Sequence, residues 1–147
     1  NAQNLKIGFI DTEQVLANLT QYKQSVNTIS LEFEPKKQEL LDLFKHIELL
    51  RANIELNKKA SNSNYDAIEL AKLKELEESF EKETEFWQKS MNNKKINLLN
   101  KIESLINISI KEFALEEGYD LILYKDVAFA SNKVNITQKI IERIEKQ

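Results

Sequence analysis

Cysteine is absent from this chain of 147 residues, which excludes disulfides and thiol chemistry. The lack suits an oxidising compartment, where a stray thiol is a hazard, although many cytosolic proteins lack cysteine too. Glycine occurs twice and proline once. A fold of many short elements needs turn residues that this chain does not have, whereas long helices need almost none. His46 is the single histidine. A metal site or pH switch wants partners for it, so a solvated helix position is its reading. Of the 21 basic residues all but Arg51 and Arg143 are lysines, and the two arginines do not cluster. The forked guanidinium that grips phosphate is thus scarce. No apolar run approaches the roughly 20 residues that span a bilayer. No signal peptide is recognisable, and the chain is compatible with a mature form.

What is present is charge of both signs. Charged residues make up 31% of the chain, yet the net charge is only −3. Interspersed acids and bases suit long solvated helices. A nucleic-acid partner would call for a basic balance, so no nucleic acid is expected.

The opening stretch, residues 4 to 19, reads as a strand running into a short helix. Leu5, Ile7 and Phe9 alternate with Lys6 and Gly8, Ile10 closes the strand, and Asp11 or Thr12 caps a helix through Val15, Leu16 and Leu19. Nucleotide-binding domains begin this way, but the turn "IDTEQV" carries neither G-x-G-x-x-G nor the glycines and Lys-Ser/Thr of a P-loop. Asp11 and Glu13 serve better as cap and helix-dipole residues than as catalytic carboxylates. No Ser, His or Cys nucleophile constellation exists, no cofactor is implied, and an enzyme is not expected.

Helix follows. From about Lys23 to Ala60 the one breaker is Pro35, and Leu40, Phe44, Ile47, Leu50 and Ile54 form an apolar stripe. The polar patch 57–64 interrupts it. Ser63-Asn64-Tyr65-Asp66 resembles a capping box that opens a second helix, which runs to Glu117 without Pro or Gly. Its stripe of Leu70, Leu73, Leu76, Phe80, Trp87 and Met91 is thin. The stripe thickens through Ile96, Leu99, Ile102, Leu105, Ile106 and Phe113, with Leu98, Ile108 and Ile110 beyond it. Gly118 marks the helix end. Two long helices with a short polar tip make an antiparallel hairpin. A tip near residue 62 pairs residues whose numbers sum to about 124, so Phe44 is predicted to meet Phe80.

After Gly118 the period changes. Two strands are predicted at about 120–124 and 127–130 around Lys125-Asp126, and Asn135-Ile136-Thr137-Gln138 resembles a capping box for a last helix with Ile140, Ile141 and Ile144. The fold class is therefore α+β and mostly α: a small β body of three short strands, with the helical hairpin inserted between strand 1 and strand 2. Residues 1–22 and 112–147 form the body, and residues 23–111 form the coiled-coil arm with its tip near 57–64. Residues 1–20 and 112–147 alone total 56 residues, near the lower limit for an independent core. Open sheet edges and the broad apolar region 96–113 point to self-association.

At this length and in this order, "LKIGFIDTEQVLANL", "GYDLILYKDVAFAS" and "VNITQKIIERI" resemble the Skp/OmpH family of periplasmic chaperones. The resemblance implies a homotrimer whose strands complete one β body, with Ile7, Phe9, Leu121, Leu123 and Phe129 in it. Three helical hairpins then hang as tentacles around a cavity. It further implies a holdase of the periplasm that keeps unfolded outer-membrane β-barrel proteins from aggregating without ATP, with transient membrane contact. Family members are often strongly basic; this chain departs from them, with a pI near 5.4. Residues 66–89 hold eight acids against four lysines. A structural coiled-coil scaffold or adaptor that binds one defined partner is the alternative.

Phe80, Phe86, Trp87 and Met91 are the candidate client-binding residues of the cavity lining, because Met and aromatics suit promiscuous contact. Packing against the first arm is the competing role, favoured for Phe80. Phe86 and Trp87 point about 100° apart and cannot both face one partner. Pro35 deletes the helical bond to the Leu31 carbonyl, which makes it a candidate hinge as well as a harmless kink or helix start. Asn18, Asn107 and Asn135 each begin an N-x-Ser/Thr pattern, for which chance and helix capping are the better reading.

Overall fold

The computed structural model describes residues 4–60 and 66–147. Its elements run β1 (Ile7–Phe9), α1 (Thr12–Asn18), α2 (Thr20–Ala60), α3 (Ala67–Glu117), β2 (Leu121–Leu123) and α4 (Thr137–Glu145). Asp11 caps α1 as expected: its Oδ1 accepts the Gln14 N–H at 3.1 Å. The expected capping box at 63–66 falls largely on residues 61–65, outside the described residues, as does half of the expected tip at 57–64. Asp66 itself caps α3, with Oδ1 accepting the Ile68 N–H at 2.9 Å. Among the described residues no helix is long and apolar enough to cross a membrane.

The chain divides into two compact units, Asn1–Thr28 with Lys95–Gln147 and Ile29–Lys94. Helices α2 and α3 each contribute to both. The first unit, the body, has a closed core. Ile10, Val15 and Leu19 meet Ile102, Ile106 and Phe113 of α3 and Ile136, Ile140, Ile141 and Ile144 around α4. Ile102 and Ile106 are core residues of this unit, so residues 95–111 belong with the body. Ile96 and Ile108 remain exposed, because the inward line of α3 runs through Ile102, Ile106, Ser109 and Phe113.

β1 pairs with β2 in parallel, Ile7 opposite Leu121 and Phe9 opposite Leu123. Parallel strands need a long crossover, and here α1, α2 and α3 are that crossover. α3 ends on Gly118 at φ +72°, and the Tyr119 N–H reaches back to the Ala114 carbonyl at 2.9 Å. This is the closure that a left-handed glycine permits. The Lys6 ammonium donates to the Glu117 carbonyl at 2.6 Å, a cation where the helix dipole favours one. Gly8 allows close approach: a Cβ there would sit 2.9 Å from Ile136 Cδ1 and 3.0 Å from Tyr119 Cε1.

The third predicted strand, 127–130, does not form. A two-residue hairpin wants positive φ at least at its first turn residue, and in Lys125-Asp126 only the second, Asp126, takes it, at +57°. The other edge of β1 is bonded instead by the segment before α4. The Phe9 N–H donates to the Val134 carbonyl at 2.7 Å, and the Ile136 N–H to the Phe9 carbonyl at 2.9 Å. The expected capping box does not form: Ile136 takes the cap position without a side-chain bond, and Asn135 before it accepts the Thr137 N–H on Oδ1 at 3.0 Å.

Two carboxylates tie α4 into the body. Both oxygens of Glu116 accept from Arg143, at 2.6 and 2.8 Å. Glu145 Oε1 accepts the Thr20 N–H at 2.8 Å, so α4 supplies a capping carboxylate to the start of α2. The Arg143 hydrogen bond holds Glu116 below the ordinary carboxylate value, and the Thr20 backbone bond does the same for Glu145. Groups with lowered folded values stabilise above the unfolded value and lose that contribution as pH falls through the folded one. Acidification should therefore loosen α4. In Glu145→Gln, thermal midpoints should start lower at neutral pH and fall less steeply between about pH 5 and 3 than in the parent. Calorimetry across that range checks it, and parallel curves would refute the role of Glu145.

Candidate functional site

The body presents an apolar sheet face to solvent. Side chains alternate along a strand, so Ile7, Phe9, Leu121 and Leu123 share one face while Gly8 and Ile122 share the other. The inner face is covered: Gly8 is buried, and Ile122 packs on the core with Tyr119. The outer face is not. Leu121 is 48% exposed, Ile7 and Leu123 are exposed as well, and Phe9 is half-buried. Phe129, in the segment that failed to form a strand, is 82% exposed. The alternation seen in the sequence is thus real, but the chain's own core takes the phase of Gly8 and Ile10 rather than that of Ile7 and Phe9. β2 has no further strand on its outer edge among the described residues.

The second unit is a two-helix arm. Its seam consists of buried Ile47, Ile54 and Leu73, with Leu43, Leu50, Leu76 and Phe80 packed on them. The Phe44 and Phe80 rings lie 5.8 Å apart, the pair that the tip position predicted. Arg51 reaches Glu77 at 3.5 Å from the same register. The seam is narrow, a few side chains per turn. It leaves Leu31, Leu49 and Leu56 of α2 exposed, together with Ile68 of α3, 79% exposed.

Within this unit the helices form a groove of about 450 Å³. Glu32, Phe33, Lys36, Lys82, Glu83, Phe86, Trp87 and Ser90 line it. Phe86 and Trp87 diverge, as adjacent helix residues must. Phe86 is 75% exposed. Trp87 is half-buried, its ring edge-on to Phe33 at 6.5 Å, and its indole N–H donates to the Phe33 carbonyl at 3.0 Å. Met91 is half-buried and Phe80 lies in the seam. Of the four candidate lining residues, Phe86 projects outward, while Phe80 and Trp87 contact the first helix. The indole bond to Phe33 was missed in the sequence, although the register that pairs Phe44 with Phe80 also brings residue 87 near residue 33.

Lys36 and Lys94 of this unit are paired to glutamates. Lys36 contacts Glu83 at 3.2 Å and Glu39 at 3.3 Å, and the Glu83 hydrogen bond raises its ammonium above the ordinary value. Lys94 pairs with Glu32 at 2.5 Å. Among the described residues no group of three or more His, Cys, Asp or Glu is placed to hold a metal ion.

Comparison with known proteins agrees with this architecture. A family model described as "Outer membrane protein (OmpH-like)" matches residues 6–144. A relative from Photorhabdus laumondii subsp. laumondii, named "Chaperone protein Skp", is 25% identical over 144 residues, which span 95% of this chain and 85% of that protein. A crystal structure from Caulobacter crescentus CB15, described as an outer membrane chaperone (OmpH-like), superposes with a TM-score of 0.80. It has 11% identity and covers 99% of this chain and 87% of that one, a likeness of fold. The family match takes in both ends of the chain as well as the helical middle, and the chain therefore belongs to the Skp/OmpH family.

Proposed function

We propose that this chain is an ATP-independent holdase chaperone of the periplasm. It works as a homotrimer and holds unfolded outer-membrane β-barrel proteins between its helical arms until they insert. The observation that carries the reading is the arm itself: a seam too thin to cover its own apolar side chains, with Phe86, Ile68, Leu49 and Leu56 left in solvent. Such side chains, scattered along a charged arm, give weak, repeated apolar contact to an extended polypeptide without selecting one sequence. The outward sheet face of Ile7, Phe9, Leu121 and Leu123 supports assembly, since an apolar face beside an open sheet edge is stable only when covered. Family membership supports the chaperone class and the periplasmic location.

The acidic arm bears on the mode of capture. Eight acids in 66–89, with Lys36 and Lys94 already paired to glutamates, leave little attraction for acidic clients. Holding should be apolar and nearly indifferent to salt, because screening acts on charge and not on buried area. The test is suppression of aggregation of several unrelated unfolded β-barrel proteins, measured at about 0.05 and 0.5 M salt. Protection of all of them at both salts is the expected result. Protection of one partner alone would mark a scaffold, and a steep loss at high salt would overturn the apolar mode.

A further inference from the structure

Pro35 lies inside α2, exposed, with helix on both sides. Lacking an N–H, it leaves the Leu31 carbonyl without its helical donor, and its ring crowds the same turn. A break of this kind is the usual site of a kink. Around it the arm gathers contacts to α3. Glu32 pairs with Lys94, Phe33 meets Trp87 through both ring and carbonyl, and Lys36 pairs with Glu83. These anchors on α2 lie within three residues of Pro35, on either side of it. Two of them are exposed or half-exposed ion pairs, which contribute little each. The indole bond is different: it is half-buried, well formed at 3.0 Å, and made to backbone. A carbonyl oxygen has two lone pairs, so Phe33 can accept the indole in addition to its helical bond.

We propose that Trp87 is a latch that holds α2 together across the Pro35 break. While the indole N–H is on the Phe33 carbonyl, α3 splints the turn that proline weakens. When it leaves, the arm bends there. The latch makes Pro35 a gated hinge, set by a side chain of the sister helix rather than by proline alone. It stands on contacts within the arm and does not depend on what the arm binds.

Trp87→Phe keeps an aromatic ring and removes the N–H. Backbone hydrogen exchange of the full chain is read by mass spectrometry in the parent, in Trp87→Phe, in Pro35→Ala and in the double variant. In the parent background the loss of one partly buried hydrogen bond should speed exchange over residues 32–40 by about two- to tenfold. In the Pro35→Ala background the alanine N–H can donate to the Leu31 carbonyl and the turn no longer needs a splint. There Trp87→Phe should change exchange by less than about twofold. Equal acceleration in both backgrounds would reduce Trp87 to packing and overturn the latch. So would no acceleration, or acceleration spread evenly over α2 and α3.

Discussion

Leu121→Glu should reduce the proposed trimer to a monomer of 17.2 kDa. Leu121 projects from the outer face of the β1–β2 sheet beside Ile7, its parallel partner. If copies of this face close on one another, the substitution places a carboxylate in each of three equivalent buried positions. An unpaired buried charge costs several kcal/mol, and symmetry multiplies it. Dissociation should therefore become at least about a hundredfold easier, which corresponds to about 2.8 kcal/mol. The body core lies on the other face, so helix content should be unchanged. Light scattering gives the mass and circular dichroism the fold. Lys139→Glu, which puts a carboxylate at an exposed position of α4, should leave the trimer intact. A trimeric Leu121→Glu, or dissociation by both variants alike, would show that this face is not the interface.

Removal of residues 45–79, with residue 44 joined to residue 80 by a short Gly-containing turn, should leave assembly intact and abolish most client holding. The Phe44 and Phe80 rings are 5.8 Å apart, so a short loop closes the cut without strain. The excised part carries the Ile47, Ile54 and Leu73 seam along with exposed Leu49, Leu56 and Ile68. None of these belongs to the body core. Apolar burial is worth about 25 cal/mol per Å², so losing even a modest contact area should weaken protection of an unfolded β-barrel client at least about tenfold. The concentration of chaperone needed for half suppression of aggregation measures it. Full protection by the shortened trimer would place client holding in the body. A monomer would mean that the arms carry the assembly.

Much of this fold is legible residue by residue. Asp11 sits where a cap must, and Gly118 ends the helix in the left-handed region. The meeting of Phe44 with Phe80 follows from a polar patch and two 3.6-residue stripes. The candidate site was legible only in part. That Phe86 and Trp87 diverge follows from helix geometry, yet which of them turns outward depends on how the two helices roll against each other. The strand expected at 127–130 was the clearest error. Its β-forming residues were read correctly, but the turn before it lacks the glycine that would fold it back.

The sequence by itself determined the order of the elements that do form, the Asp11 cap and the arm register. These rest on spacing and on hydrogen bonds a few residues long, information held locally. Tertiary structure alone decided that β1 runs parallel to β2 and that residues 134–136 take the other edge of β1. It also decided that Glu145 caps the start of α2 and that Trp87 holds the carbonyl beside Pro35. Each of these joins groups at least 54 residues apart. A donor or acceptor carries no mark of which distant partner will satisfy it. That choice is made by core packing, which brings the two within reach.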